Sequence, residues 1–132
     1  MDVLLAGDAE RVAALLSALS ERGLSAAHAG DDPSLAESLV SLESRIQAEP
    51  PNLAVGVGTG EAAIGLAVTA PKLGVPFTAW AAADERPDER RILETLSEDE
   101  LSVQEGDAGE TAERIAAWLA KKTPRRDLDS GS

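Results

Sequence analysis

Cysteine is absent from the 132 residues of this chain, which excludes a disulfide framework, a thiolate metal site and redox thiol chemistry. Histidine occurs once, at His28, and a single imidazole supports neither a Ser-His-Asp nor a Cys-His constellation. No apolar run is long enough to span a bilayer. The opening MDVLLAGDAER sets an acid before a run of only a few apolar residues, where a signal peptide needs a basic start and a longer core. A cytoplasmic location is the expectation from these absences. Lysine is scarce as well: Lys72, Lys121 and Lys122 are the only three.

Carboxylate is what the chain has in excess. Its 24 aspartates and glutamates stand against 12 lysines and arginines, a formal charge of −12. A field of that sign repels nucleic-acid phosphates and anionic lipid, so neither nucleic acid nor membrane is expected as a partner. The basic cluster Lys121, Lys122, Arg125 and Arg126 fits the preference of a helix C-terminus for cations. The length suits one domain, residues 1–122, followed by a polar tail, 123–132, of disordered composition.

Along the chain, short apolar runs alternate with amphipathic segments. Val3 to Ala6 reads as a strand ending at Gly7, after which Asp8 caps a helix carrying Val12, Leu15, Leu16 and Leu19 on one face and stopping at Gly23. Leu24 to Ala29 is the second strand. Asp32-Pro33 then opens a helix with Leu35, Leu39, Leu42 and Ile46, ended by Pro50-Pro51. Leu53 to Val57, Val75 to Trp80 and Leu101 to Gln104 are the remaining strands. Helices follow them from Gly60 to Ala70, from about Asp84 through Leu96, and from Asp107, where Glu110 three residues on completes a capping box. Five strand–helix repeats predict an α/β fold: a five-stranded parallel sheet in a Rossmann- or flavodoxin-like three-layer sandwich, strand order 2-1-3-4-5.

In that order the chain reverses direction between strands 1 and 3, and ligands of such folds bind at the carboxyl ends of the two strands. The loops there hold Gly7 and Asp8 on one side and Gly56, Gly58, Thr59, Gly60 and Glu61 on the other, within the stretch AVGVGTGEAAIG. These seven are the candidate binding residues. Small residues let backbone N–H groups close on an anion at a helix start, and the amides of Gly58, Gly60 and Glu61 are the candidate donors, with Thr59 as cap. Tight turning and close packing explain the same glycines without a ligand. Glu61 stands where a Walker A loop needs lysine, and the GxGxG spacing after a third strand is not the dinucleotide fingerprint. His28, followed by Asp31 and Asp32, lacks a second histidine or converging carboxylates, so no metal, cofactor or catalytic residue is assigned.

The segment EAAIGLAV has no polar face between Ala62 and Val68. A helix apolar all round is covered on more than one side, so pairing with the same helix of a second copy is expected through helix 60–70. Ile64 and Val68 would meet their equivalents, with Ala63, Gly65 and Ala67 allowing close approach.

The segment PNLAVGVGTGEAAIGLAVTAPKLGVPFTAW, Pro51 to Trp80, resembles part of the N-terminal half of UDP-N-acetylglucosamine 2-epimerases and related GT-B proteins. The likeness rests on Pro51, Asn52, Gly58, Ala63, Ala67, Ala70, Leu73, Gly74, Val75 and Pro76. The family's Gly-Asp turn is Gly58-Thr59 here, and the chain is about a third of the family's length. The shorter GVGTGEAAIGLAV is similar to the sugar-phosphate turn of type B ribose-5-phosphate isomerases, without the cysteine many of them use as base. The opening DVLLAGDAERVAALLSALSERGL resembles response-regulator receivers, yet the third strand ends without a phosphoacceptor aspartate and the fifth has no lysine. Low lysine, many acids and many alanines resemble the composition of proteins from salt-loving archaea.

The resemblances imply a nucleotide, nucleotide-sugar or sugar-phosphate ligand. The reading taken is a small domain without catalysis that holds such an anion at the strand 1/strand 3 crevice. The alternatives are a sugar-phosphate isomerase or transferase using Asp8, Glu61 or His28, and a protein-interaction module.

Overall fold

The computed structural model describes residues 2–28, 43–58, 61–81, 87–97, 101, 103–104 and 106–122, with 61 and 103–104 described by their backbone alone. The apolar runs form strands and the amphipathic segments form helices. In chain order these are β1 Val3–Gly7, α1 Ala9–Glu21, β2 Ala26–His28, α2 of which 43–48 are described, β3 Leu53–Val57 and α3 Glu61–Lys72. They continue with β4 Phe77–Trp80, α4 Pro87–Leu96, β5 Val103–Gln104 and α5 Ala108–Lys122. Every strand pair is parallel. The four longer strands lie in the order β2-β1-β3-β4, and the two-residue β5 extends the sheet beside β4.

Because successive side chains of a strand point to opposite faces, the sheet needs cover on both. Val3, Leu5, Leu53, Val55, Val57 and Trp80 pack with Val12, Leu15 and Leu19 of α1 and with Ala112, Ile115 and Leu119 of α5. Leu4, Ala6, Ala54, Phe77 and Ala79 pack on the other face with Ile46, Leu66, Ala67, Ala70 and Leu93. Each large side chain buried this way contributes about 1.5–3 kcal/mol. At the amino ends of the strands the Asp2 carboxylate accepts hydrogen bonds from the Ser25 N–H at 2.9 Å and the Asn52 amide at 3.4 Å, so the segments leading into β1, β2 and β3 are tied together.

Two strands begin later than their apolar runs. Gly23, at φ 79°, donates its N–H to Ser20, and the Leu24 N–H reaches back to the Leu19 carbonyl. Gly74, at φ 80°, donates to Pro71, and the Val75 N–H to Ala70. Both are Schellman closures, in which the apolar residue after the glycine finishes the helix before the strand starts. Leu24 and Val75 therefore belong to helix ends. Leu101 likewise occupies a buried turn before β5. The Asp107–Glu110 capping box forms as expected, with the Glu110 N–H donating to Asp107 at 2.8 Å and the Asp107 N–H to Glu110 at 3.2 Å.

The apolar character of α3 has its explanation inside the chain. This helix contacts β1, β3, β4 and α4, and Lys72 at its end pairs with Glu43 of α2 at 3.6 Å. Ala62, Ala63, Gly65, Leu66, Ala67, Thr69 and Ala70 are all buried, whereas Val68 is 48% exposed. The close approach to a second copy expected of Ala63, Gly65 and Ala67 is corrected by this packing, while Val68 and the half-buried Ile64 stay outside it. Ala63, Gly65 and Ala67 lie in the chain's own core and offer no pairing surface. The end of the second strand at Ala29, the Asp32-Pro33 helix start with Leu35, Leu39 and Leu42, the start of α4 around Asp84 and the tail 123–132 lie outside the described residues, as do Thr59 and Gly60.

Candidate functional site

Between β1 and β3 the sheet's connections turn to opposite faces, α1 into one layer and α3 into the other, and it is at the carboxyl ends of two such strands that folds of this topology open a crevice. Gly7 closes one side of it. Its φ is 140°, it pairs in register with Val57, and a Cβ built there would lie 2.0 Å from the Val57 carbonyl oxygen. No other residue lets the two backbones approach so closely. The next amide, of Asp8, donates to that same carbonyl at 3.2 Å.

The two described glycines of the turn are also accounted for by the scaffold. A Cβ on Gly56 would meet Phe77 Cζ at 3.0 Å and Ala63 Cβ at 3.1 Å, so this glycine seats α3 on the sheet. Gly58, at φ 83°, donates its N–H to the Trp80 carbonyl at 2.8 Å. That bond corrects the expectation that the Gly58 amide faces an anion, because its only donor is occupied by β4. Thr59, Gly60 and the Glu61 side chain fall outside the described residues.

The start of α1 is differently placed. Asp8 occupies the N-cap position and its carbonyl accepts the Val12 N–H at 2.8 Å, yet its carboxylate makes no capping bond. The side-chain cap expected of Asp8 is thus corrected. Its exposed carboxylate is left at the end of β1. The amides of Ala9 and Glu10 precede the first intrahelical bond, from Val12 to Asp8, and with the helix dipole they give this end partial positive charge.

Arg11 and Trp80 were missed in reading the sequence. The Arg11 guanidinium, in the first turns of α1, lies 5.8 Å from the Trp80 ring centroid, and the Trp80 indole N–H donates to the Gly106 carbonyl at 2.7 Å. Trp80 ends β4 level with Val57 of β3, so a cation held on an aromatic face adjoins the crevice. The available signal was positional: Arg11 follows Gly7 by one helical turn, and Trp80 ends its strand as Gly7 ends β1. His28 ends β2 opposite Leu5, one strand away from the crevice on the side remote from β3. Its Nε2 is buried without a hydrogen-bond partner among the described residues. The structure therefore places Gly7, Asp8, Gly56 and Gly58 together and His28 apart.

Among the described residues no cluster of three or more histidines and carboxylates is arranged to hold a metal ion, and no helix is long and apolar enough to cross a membrane. A depression of about 240 Å³ lies at the other end of the sheet, lined by Pro71, Gly74, Val75, Pro76, Phe77 and Leu96. It is at the amino end of β4 and shares no residue with the crevice.

No protein-family model matches the chain, and no curated protein matches it. Solved structures do share its fold, an α/β arrangement with a parallel sheet of Rossmann or GT-B type. The S. aureus MnaA–UDP co-structure is 18% identical with a TM-score of 0.63, over 89% of this chain and 41% of that one. UDP-GlcNAc 2-epimerase from Neisseria meningitidis, bound to UDP-GlcNAc, is 13% identical with a TM-score of 0.63, over 99% of this chain and 54% of its own. The Vibrio vulnificus NanR protein complexed with ManNAc-6P is 14% identical with a TM-score of 0.56, over 93% and 50%. The chain thus corresponds to about half, or less, of each. The partial resemblance carried by Pro51 to Trp80 extends, as a likeness of fold, across most of the chain.

Proposed function

We propose that this chain binds a small anionic ligand of the nucleotide, nucleotide-sugar or sugar-phosphate class at the carboxyl ends of β1 and β3, without carrying out chemistry on it. The observation that carries the reading is the uncapped start of α1 beside the Gly7–Val57 closure. The amides of Ala9 and Glu10 and the helix dipole there favour an anion, and Arg11 adds a full positive charge close by. Asp8 suits a sugar better than a bare phosphate, since an exposed carboxylate accepts hydrogen bonds from hydroxyls but repels a second anion. Thr59, Gly60 and Glu61 complete the proposed site from the α3 side, with Gly56 and Gly58 shaping the turn. The fold neighbours support the ligand class, because those structures hold UDP, UDP-GlcNAc and ManNAc-6P.

A thermal-shift series with inorganic phosphate, UDP, UDP-sugars and hexose phosphates tests the reading. A ligand at a hundred times its dissociation constant stabilises the folded chain by about 2.7 kcal/mol. A rise in Tm with a UDP-sugar or hexose phosphate, reduced in Arg11→Ala, is the expected result. No shift with any of them at millimolar concentration overturns it.

Pairing of two chains through α3 would use Val68 and the half-buried Ile64, with Ile92 of the neighbouring α4 also exposed among the described residues. Sedimentation at micromolar concentration checks it, a mass of 13.7 kDa ruling the dimer out.

A further inference from the structure

We draw no further inference here: the strongest candidate, the buried and unpartnered Nε2 of His28 at the carboxyl end of β2, adjoins residues 29–42, which lie outside the described structure, and no metal-holding cluster exists among the described residues to join it.

Discussion

Replacing Gly7 by alanine separates a scaffold role from a ligand role for the glycines of the crevice. The backbone at φ 140° strains any side chain there, at about 1–3 kcal/mol. The added Cβ would stand 2.0 Å from the Val57 oxygen, where ordinary contact begins at 3.4 Å, so the ends of β1 and β3 must part by roughly the difference. Such a movement breaks the bond from the Asp8 N–H to Val57, and stranding that buried carbonyl costs about another 1–3 kcal/mol. A loss of about 2–6 kcal/mol follows, a large part of the 5–15 kcal/mol that stabilises an ordinary domain. Gly23→Ala and Gly74→Ala are the controls: both sit at positive φ with nothing within 4 Å, so each should lose only about 1 kcal/mol. Gly56→Ala, with ordinary φ but neighbours at 3.0 to 3.2 Å, should fall between them. Urea denaturation followed by circular dichroism gives the four midpoints. If Gly7→Ala lies within error of Gly23→Ala, close approach is not what requires glycine at this position.

Thr111 is 1% exposed and its hydroxyl has no hydrogen-bond partner among the described residues, so Thr111→Val, which keeps the shape and removes the stranded group, should stabilise the fold by about 1 kcal/mol. A urea midpoint no higher than that of the parent chain would show that the hydroxyl is satisfied. Raising KCl from 0.01 M to 1 M shortens the reach of charge from roughly 30 Å to about 3 Å and relieves repulsion within a chain of net charge −12, so Tm should rise. A flat or falling Tm refutes that reading of the acidic surface. Val68→Glu should leave stability within about 0.5 kcal/mol, since the site is exposed, while splitting any dimer formed through α3. Unchanged sedimentation of a dimeric parent would place its interface elsewhere.

Local pattern was enough for the alternation of strands and helices, because each relies on neighbours only a few residues apart. Gly23 ends α1 where the pattern suggested, whereas α3 runs past the expected Ala70 to Lys72 and closes at Gly74. Leu24 and Val75 misled for a physical reason: the residue that closes a Schellman motif is apolar too, and apolarity alone does not distinguish a helix's final tuck from a strand's first residue. The crevice was legible as a location for a similar reason, since it follows from strand order and the placing of glycines. Its chemistry was not, because the deciding contacts join distant parts of the chain. Gly58 gives its amide to Trp80, and Arg11 lies over the same residue's ring. The positions of Arg11 and Trp80 near element ends were readable, but which residues they pair with was not.

The same limit governs α3. Its sequence shows how many of its faces are apolar, but not how many neighbours reach them, and in a three-layer fold a central helix is met by the sheet below and by helices on either side. With Ala63, Gly65 and Ala67 taken into the core and the Gly58 amide occupied, the anion-attracting character proposed for the crevice shifts to the opposite wall, where α1 begins. Asp8 is what makes that shift possible. Had its carboxylate capped the helix, it would have satisfied one of the α1 amides and set a negative charge against the others. Left uncapped, the same residue would offer the proposed ligand a hydroxyl acceptor beside an anion-attracting helix end, the two features that a sugar carrying a phosphate requires of a single site.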